Sequence, residues 1–389
     1  MRRIAIVTGG RQDYGHLYWI IRGVHEDPAL ELQLIVTGMH LSHEFGLTVR
    51  DVERDGFPIA ERVEMLISSD SESAIAVSMG VGMIGFAKTY ERLRPDILVV
   101  LGDRFELLSA VAAAIPFRIP VAHIHGGEAT EAAIDEQIRN AITKISHIHF
   151  PCTKSYSDRI IRMGEHPDKV FCFGAPGLDN IYNLDLWDRE KLGADLGLPA
   201  DRPLGSVTYH PVTLQRDAAG GRTDELLGAL DEFPDVFWVF TLSNADTEGR
   251  VIIEKIKSYV TAKPERAALF SSLGQLRYLS LLKNSALMVG NSSSGIIEAP
   301  SFELPVVNIS DRQKGRVRAA NVIDVPVCGK NDITTAIRKA FSKEFRSSLE
   351  GLGNPYGKGD SSRKIVEKLK TVALGEDLLK KSFYEMRHE

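Results

Sequence analysis

The sequence predicts an α/β protein made of two Rossmann-like, doubly wound domains that face a central cleft. The chain has 389 residues, which is long for one ordinary domain. Short apolar, β-branched runs alternate with longer helical patterns, as a parallel sheet covered on both faces requires. The same alternation restarts after Gly174-Ala-Pro-Gly177, which we interpret as a linker. We therefore predict an N-terminal domain over 1–175, a C-terminal domain over 176–360, and a C-terminal helix over about 361–389 that packs back on the first domain.

The first domain has six predicted strands separated by helical patterns. The predicted strands are Ile4–Thr8, Leu32–Thr37, Ile97–Leu101, Pro120–Ile124, Ile148–Phe150 and Val170–Phe173. The predicted helices between them are Leu17–His25, Ala74–Leu93, Phe105–Ala114 and Ile134–Ile145. Polar residues that directly follow these strands carry most of the functional expectation, because ligands of such sheets bind beyond the carboxyl ends of the strands.

The second domain repeats this architecture without a repeated sequence. Its predicted strands are Gly205–Tyr209, Val236–Thr241, Ala267–Phe270, Ala286–Val289 and Val306–Ile309. Its predicted helices are Asp224–Phe233, Arg250–Val260 and Gly274–Lys283. We predict a further helix from Ser361 to Leu374.

Composition excludes several classes of protein. The net charge of -5 argues against nonspecific nucleic-acid binding, and the hydrophobic fraction of 43% is that of a globular protein. Three cysteines without close spacing predict neither a disulfide framework nor a zinc site. The apolar run after Met1 is too short for a secretory signal, and no apolar run approaches the roughly 20 residues of a membrane span. We expect a cytoplasmic protein without membrane association.

The segment Gly80-Val-Gly82-Met-Ile-Gly85 matches the G-x-G-x-x-G pattern of dinucleotide binding. A genuine fingerprint follows a strand and opens a helix, whereas this segment follows Ser69-Asp-Ser-Glu-Ser, a good helix start. We therefore place these glycines inside a helix, where backbones pack closely, and expect no dinucleotide cofactor.

Candidate chemistry in the first domain follows three strands. Arg11 lies in the first turn between strand and helix, where backbone N–H groups and a guanidinium suit an anion, although a solvated arginine is the alternative. Asp103 follows the third strand and either points into the cleft or caps the next helix. His125 and Glu128 follow the next strand, and Asp135 comes shortly after. The clustering of carboxylates and an imidazole favours acid/base catalysis.

Candidate anion-binding residues follow two strands of the second domain. His210 suits a donor to a diphosphate or to a leaving oxygen, and a buried structural histidine is the alternative. The segment Gly290-Asn-Ser-Ser-Ser-Gly295 provides Ser292, Ser293, Ser294 and Gly295 at a helix start, with Glu298 one turn further on to accept from ribose hydroxyls. Arg312 and Arg316 form a basic cluster nearby that faces either substrate or solvent.

Together these motifs resemble the hydrolysing UDP-N-acetylglucosamine 2-epimerases of sialic-acid and related nonulosonic-acid pathways. The matching segments span nearly the whole chain in order: TGGRQDYGHL (8–17), LIVTGMHL (34–41), LGDRFE (101–106), HIHGGEATEAAIDEQIRNAITKISHIHF (123–150), GAPGLDN (174–180), YHPVT (209–213), GNSSSGIIEAP (290–300), DRQKGRV (311–317) and NPYGKG (354–359).

The resemblance implies the GT-B arrangement, a UDP-sugar substrate, no redox cofactor and no metal, and a homodimer or homotetramer. It implies that Asp103 and Asp135 are catalytic acids, with Glu136 replacing the second acid of the family's Asp-Asp pair. Some relatives carry an acid/base Glu where this chain has His125, so either His125 or Glu128 fills that role. Arg11, His210, Ser292–Ser294 and Glu298 match the family's UDP contacts, and His210 matches a residue that assists leaving-group departure.

Three other functions compete with this one. A non-hydrolysing 2-epimerase would recapture UDP, a GT-B glycosyltransferase would pass the sugar to an acceptor, and a silent UDP-sugar sensor would bind without turnover. The HGGE and DRQ-GR segments favour the hydrolysing branch, and the acids around C2 favour an epimerase over a transferase or sensor. Two substrates stay open, UDP-N-acetylglucosamine and UDP-2,4-diacetamido-2,4,6-trideoxyglucose.

Overall fold

The computed structural model describes residues 1–67, 69, 71–129, 134–210, 219–242 and 249–386. These form two compact units, one containing Met1–Ala129, Ala133–Asn180 and Tyr356–Glu389, and the other Ile181–Pro355. The chain thus changes unit a few residues away from the predicted positions 175 and 360. The cause is Asp179, whose carboxylate accepts hydrogen bonds from the backbone N–H groups of Ser361 (3.1 Å) and Ser362 (2.6 Å). These bonds fasten the segment after Gly177 to the first unit.

The first unit contains a parallel sheet of six strands in the order β3-β2-β1-β4-β5-β6. This is a Rossmann-type order whose switch point lies between β1 and β4. Its elements are β1 Arg2–Thr8, α1 Arg11–Glu26, β2 Leu30–Thr37, α2 Val49–Arg54, β3 Ile59–Val63, α3 Glu72–Leu93, β4 Ile97–Leu101, α4 Phe105–Ala114, β5 Val121–Ile124, α5 Ile134–Ile145, β6 Ile148–Phe150 and α6 Lys154–Arg162, followed by α7 Asp179–Asn183, in which the chain changes unit.

The second unit contains a parallel sheet of the same kind, in the order β12-β11-β10-β7-β8-β9. Its elements are α8 Arg189–Leu196, β7 Leu204–Thr208, α9 Ala219–Leu230, β8 Phe237–Thr241, α10 Gly249–Ala262, β9 Ala267–Phe270, α11 Gly274–Asn284, β10 Ser285–Gly290, α12 Ser294–Ile297, β11 Val306–Ile309, β12 Val322–Val325, α13 Lys330–Phe341 and α14 Lys343–Ser347. The two Rossmann-like units confirm the predicted fold class.

The C-terminal segment returns to the first unit. It contains α15 Ser361–Thr371 and α16 Glu376–Leu379, so the predicted long helix over 361–389 is wrong beyond Thr371. Ile365, Val366 and Leu369 join the apolar core that α1 and the central strands form on one face of the sheet. This amphipathic face is what brings the segment back to the unit in which the chain began.

Three local predictions differ from the structure. The edge strands β3 and β12 were not predicted, because each is only partly buried and mixes charged with apolar residues. The predicted strand Val170–Phe173 forms only an isolated bridge between Val170 and His149. Helix α1 begins at Arg11 rather than at Leu17, since the extended Gly10 precedes the helix directly.

The G-x-G-x-x-G segment lies within α3, as predicted from its position. Ser71 caps this helix by accepting a hydrogen bond from the backbone N–H of Ala74. A Cβ atom at Gly82 would lie 2.7 Å from the Met65 side chain, and one at Gly85 would lie 2.7 Å from Val63. These glycines therefore serve helix packing and form no phosphate-binding turn.

Among the described residues, none of the helices has the combined length and apolar character needed to cross a membrane.

We expect Gly205→Ala to destabilise the second unit. The added Cβ would lie 2.2 Å from the ring of Trp238, which is fully buried, so the core would be overpacked at a cost of about 1–3 kcal/mol. Urea denaturation followed by tryptophan fluorescence measures the change. The control is Gly221→Ala on the exposed side of α9, where a Cβ meets nothing within 4 Å among the described residues. An unchanged midpoint for Gly205→Ala would contradict this packing.

Candidate active site

A buried arginine organises the acidic residues of the first unit. Arg139, on α5, forms ion pairs with Asp103, which follows β4, and with Glu136 (2.8 Å). It also donates a hydrogen bond to the backbone carbonyl of Glu128 (3.1 Å), which follows β5. The Arg139 side chain is 2% exposed, whereas that of Asp103 is 26% exposed. The arginine is thus an internal support, and Asp103 keeps an accessible side.

Asp135 belongs to the same cluster of charges. Burial raises the pKa of Asp135, and the nearby Asp103 raises it further, whereas Arg104 and Arg139 oppose the rise. The negative charge of Asp103 therefore favours the protonated form of Asp135, which suits a carboxyl group that donates a proton.

His125 and Glu128 form a hydrogen-bonded pair at the end of β5. The Nδ1 atom of His125 lies 2.5 Å from the Oε1 atom of Glu128 and 3.2 Å from the Sγ atom of Cys152. The side chain of His125 is 12% exposed, and that of Glu128 is 4% exposed. When Nδ1 donates to the carboxylate, the lone pair of the neutral imidazole lies on Nε2. Glu128 is therefore placed to orient His125 rather than to exchange protons with a bound small molecule itself.

The His-Gly-Gly-Glu turn depends on its two glycines. His125 has a positive φ of 65°, which is unusual for a residue with a side chain, and Gly127 follows with a φ of 74°. A Cβ at Gly127 would lie 2.6 Å from the carbonyl oxygen of Tyr156, and one at Gly126 would lie 3.0 Å from the His123 ring. The turn therefore packs closely on its surroundings and fixes the direction of the His125 side chain.

A second buried acid lies beside this cluster and was not among the predicted site residues. Asp13, in the first turn of α1, accepts a hydrogen bond from the backbone N–H of Gly9, and its Oδ2 atom has no hydrogen-bond partner among the described residues. Arg104 contacts the fully buried Glu106 through Nη2 (3.1 Å) and Nε (3.3 Å). Arg104 and Glu106 also act electrostatically on Asp13. The sequence shows Asp13 two residues after the predicted site residue Arg11, in the Arg-Gln-Asp segment.

Arg11 was predicted in the turn that precedes the first helix, but it is the first residue of α1 itself. Its guanidinium is 52% exposed and lies 3.7 Å from the carboxylate of Asp51. Arg11 is thus an accessible cation at the N-terminal end of a helix of 16 residues, where the helix dipole also favours an anion.

In the second unit, Asn291 joins two loops that follow neighbouring strands. Its side-chain oxygen accepts from the backbone N–H of His210 (2.7 Å), and its side-chain nitrogen donates to the backbone carbonyl of His210 (2.9 Å). The loop after β7 and the loop after β10 are therefore held together at the switch point of this sheet, where ligands of such folds bind.

His210 is neutral in this setting. Burial and, to a smaller extent, the positive charge of Arg312 together lower the pKa of His210 to about 3. The imidazole can donate one N–H hydrogen bond to an oxygen of a ligand, but it contributes no positive charge near neutral pH.

The predicted serine-rich segment forms a compact turn. The backbone N–H of Ser294 bonds to Ser292 Oγ (3.3 Å), and the N–H of Gly295 bonds to the Ser292 carbonyl (3.2 Å). The helix predicted to start at this segment is α12, which has only four residues, so N–H groups and hydroxyls rather than a helix dipole are what the turn offers to an anion. Glu298 lies one turn on and is 8% exposed.

The hydroxyl of Tyr278 contacts this serine-rich turn from α11 and was not predicted. It forms side-chain hydrogen bonds with Ser294, Thr208 and Ser292, and burial raises the pKa of Tyr278 to about 12. The tyrosine therefore stays protonated, and its hydroxyl shares hydrogen bonds with the serine hydroxyls.

The basic segment after β11 is attached to the same place. Arg312 Nη1 and Gln313 Nε2 both donate to the backbone carbonyl of Asn291, at 3.1 and 2.9 Å. Arg312 is exposed, and the backbone N–H of Arg316 bonds to the carbonyl of Gln313 (3.4 Å), which keeps Arg316 in the same turn. The structure thus joins Arg312 to the serine-rich turn through Asn291.

Comparison with known proteins identifies relatives along nearly the whole chain. The profile of the UDP-N-acetylglucosamine 2-epimerase family matches residues 22–370. A GDP/UDP-N,N'-diacetylbacillosamine 2-epimerase (hydrolyzing) from Campylobacter jejuni is 38% identical over 386 residues, which cover 99% of each chain. A UDP-N,N'-diacetylbacillosamine 2-epimerase (hydrolyzing) from Legionella pneumophila is 37% identical and covers 98% of this chain and 99% of its own.

Among solved structures, a complex of S. aureus MnaA with UDP superposes with a TM-score of 0.79 at 19% identity. The match covers 95% of this chain and 96% of that chain. At this identity the similarity shows the fold, which is the GT-B architecture of two Rossmann-like domains.

The buried Asp13 predicts a pH-dependent stability. Burial raises the pKa of Asp13 from its ordinary 3.8 to about 7, opposed by Arg104 and assisted by Glu106 and Asp103. Between these two values the folded state holds a proton that the unfolded chain has lost, so the stability due to this group falls as pH rises. Asp13→Asn cannot ionise, and we expect its stability relative to the wild type to increase between about pH 4.5 and about pH 8.

Urea denaturation of both proteins at these pH values measures this difference. A constant difference between the two proteins across the range would show that Asp13 ionises normally in the folded state.

Proposed function

The chain belongs to the UDP-N-acetylglucosamine 2-epimerase family, and we propose that it hydrolyses a UDP-2-acetamido sugar with inversion at C2. Water and the UDP-sugar would give UDP and the free 2-epimer. The single observation that carries this proposal is the cluster of Asp103, Asp135 and His125 around the buried Arg139, because epimerisation needs several acid/base groups to move the C2 proton, which a glycosyltransferase leaves in place.

The chemistry explains why several acid/base groups are required. The C2 proton of a UDP-sugar is not acidic until UDP has left and the positive charge of an oxocarbenium ion develops at C1. Loss of that proton gives a 2-acetamidoglucal. Water then adds at C1, and a proton returns to C2 from the opposite face of the ring. Two proton-transfer groups on opposite faces and cations for the departing diphosphate are therefore needed.

We assign Asp103 and Asp135 to proton transfer on the sugar. Asp103 is accessible and oriented by Arg139, which keeps one carboxylate oxygen occupied. The raised pKa of Asp135 brings its titration closer to neutral pH, where proton transfer in both directions is efficient. Asp135 lies on α5, and Asp103 lies in the loop after β4, where the ion pair with Arg139 holds it. Both carboxyl groups are therefore held in place by the first unit.

His125 is the better candidate for the further acid/base, and Glu128 for the residue that orients it. Glu128 is almost fully buried and accepts from Nδ1 of His125, whereas His125 is the more exposed of the two. A carboxylate that fixes the tautomer of a catalytic imidazole is a recurrent arrangement in enzymes. This assignment selects between the two alternatives that the sequence left open.

We assign the UDP moiety to the serine-rich turn and its neighbours in the second unit. Neutral His210 would donate to a diphosphate oxygen and so assist its departure, and Arg312 would supply positive charge. The hydroxyls of Ser292, Ser293 and Ser294 and the N–H of Gly295 would hold the diphosphate. Glu298 is the candidate acceptor for ribose hydroxyls, and Arg11 and Arg316 are further candidate contacts.

UDP-N,N'-diacetylbacillosamine, which is UDP-2,4-diacetamido-2,4,6-trideoxyglucose, is the proposed substrate. The support is that both relatives described above carry this substrate in their names and match the chain over nearly its full length. The product would then feed synthesis of a nonulosonic acid of the legionaminic type. UDP-N-acetylglucosamine is the alternative substrate.

We further propose a homo-oligomer, either a dimer or a tetramer. Val77, Val81 and Ile84 are exposed by 49%, 40% and 62%, and their spacing places them on one face of α3. A row of exposed aliphatic side chains of this kind is typical of surfaces that pack against another chain.

A cytoplasmic location is also proposed. Cys152, Cys172 and Cys328 are all free thiols, which suits a reducing compartment.

Proton NMR in D2O tests the reaction. The purified protein is incubated with UDP-N,N'-diacetylbacillosamine or with UDP-N-acetylglucosamine, without added metal or nicotinamide. Free UDP together with a manno-configured sugar carrying deuterium at C2 is the expected result, at a higher rate with the first substrate. Reversible epimerisation of intact UDP-sugar would indicate the non-hydrolysing reaction, and no change in either substrate would favour a transferase or a sensor.

We expect Asp103→Asn to reduce kcat by about 100- to 10,000-fold, because an amide cannot take or return the proton. UDP affinity, measured by calorimetry, should stay close to that of the wild type. The matched control is Asp96→Asn at the opposite end of β4, where the carboxylate also pairs with an arginine, Arg3 (2.9 Å). Full turnover by Asp103→Asn would exclude Asp103 from the chemistry.

The assignment of His125 is tested by three substitutions. We expect His125→Asn to lose about 100-fold or more in kcat, and His125→Glu to recover much of it because a carboxylate can also transfer a proton. Glu128→Gln should cause a smaller loss, since the imidazole remains. The exposed His166→Asn is the control. Normal turnover by His125→Asn with none by Glu128→Gln would reverse the two roles.

A further inference from the structure

We propose that His125, Glu128 and Cys152 form a binding site for a thiophilic divalent cation of the zinc class. Each residue offers one potential ligand atom, and these three atoms lie within 4.8 Å of one another. Because 27 residues separate His125 from Cys152, the spacing that usually reveals a zinc site in a sequence is absent here.

The types of donor atom match zinc. An imidazole nitrogen, a carboxylate oxygen and a thiolate sulfur are its three common protein ligands, at about 2.0–2.1, 2.0–2.2 and 2.3 Å. Tetrahedral geometry with these bond lengths places sulfur and nitrogen about 3.6 Å apart, and nitrogen and oxygen about 3.4 Å apart. The observed separations are 3.2 Å from Cys152 Sγ to His125 Nδ1 and 2.5 Å from Nδ1 to Glu128 Oε1. For these two pairs of atoms, binding of a cation requires each separation to increase by less than about 1 Å.

The backbone holds the three ligands together. Strands β5 and β6 are neighbours in the sheet, with Ile124 opposite Phe150, and the N–H of His125 donates to the carbonyl of Phe150 (3.2 Å). His125 and Cys152 therefore emerge side by side from adjacent strand ends. Glu128 returns to them because the turn through Gly126 and Gly127 is closely packed. A site that is already assembled loses little conformational entropy when it binds an ion.

The charges also suit a divalent cation. A thiolate at Cys152 and a carboxylate at Glu128 together neutralise two positive charges, and both side chains are buried, so water competes weakly for the ion. The partly exposed side of His125 leaves an approach for the ion and for a water molecule as fourth ligand. Cysteine releases its proton on binding, which makes affinity increase with pH.

Binding at this site would inhibit the enzyme, a consequence that rests on the proposed function. The cation would occupy Nδ1 of His125, where Glu128 otherwise accepts the hydrogen bond that sets the imidazole tautomer. Because the Nδ1 lone pair would then bind the cation, the proton of the neutral ring would move to Nε2, which could no longer accept a proton as a base. The site is therefore inhibitory rather than a source of activated water.

Cobalt(II) titration of the reduced, metal-free, full-length protein tests the site directly. We expect a thiolate-to-cobalt charge-transfer band in the near ultraviolet that saturates stoichiometrically and is removed by added zinc. The band should disappear in Cys152→Ser and persist in Cys172→Ser and Cys328→Ser, which remove the two other free thiols. Glu128→Gln should keep the band but weaken cobalt affinity by about 10-fold or more, as loss of one ligand does.

Several outcomes would overturn the proposal. These are absence of the band in the wild type, persistence of the band in Cys152→Ser, and its loss in Cys172→Ser. Circular dichroism checks that Cys152→Ser is folded. If it is not, the cobalt affinity of Glu128→Gln tests the site instead, and an affinity equal to that of the wild type would overturn the proposal.

Turnover then tests the inhibitory consequence. Zinc should reduce the rate of UDP release by the wild type, EDTA should restore it, and Cys152→Ser should resist zinc relative to its own metal-free rate. A cobalt band without inhibition would support the cation site but overturn the inference that a bound cation blocks the action of His125. Because the titration needs no substrate, it gives a result even if the proposed reaction fails.

Discussion

The guanidinium of Arg139 lies between the loops that carry the acidic residues of the first unit, and most of the site depends on it. It bonds to Asp103 after β4, to the backbone carbonyl of Glu128 after β5, and to Glu136 on its own helix. Because Arg139 is buried, loss of its acidic partners would leave its charge uncompensated in the interior, which is unfavourable. The positions of Asp103 and of the His125–Glu128 pair are thus parts of one arrangement.

The second unit positions its loops in a comparable way, but the residue that joins them is the neutral Asn291 instead of a charged arginine. Asn291 holds the backbone of His210 through two hydrogen bonds, and its own carbonyl receives bonds from Arg312 and Gln313. The histidine is neutral there, so positive charge for an anion comes from arginine. Asp103 and Arg312 are accessible, whereas Arg139 and Asn291, to which they are bonded, are buried.

Patterns within the sequence predicted mainly apolar strands better than strands of mixed composition. The strands β4, β6, β9 and β11 were predicted to the residue, although β6 and β9 lie at sheet edges, because largely apolar runs have few other interpretations. The edge strands β3 and β12 were missed, since half-exposed strands carry mixed residues that resemble loops. Helix α1 was predicted six residues short, because Gly10 precedes it and its first turn carries polar side chains that suggested a loop.

The sequence by itself determined the fold class, the family and the strand ends that carry Asp103, His125 and the serine-rich turn. Local apolar periodicity and ordered motifs along the chain are sufficient for these. Only the tertiary structure decided which side chains meet, for example Arg139 with Asp103, which is 36 residues away, and Cys152 with His125. It also decided that the pKa of Asp13 is raised and that of His210 is lowered, because burial changes a pKa and burial depends on packing between distant segments.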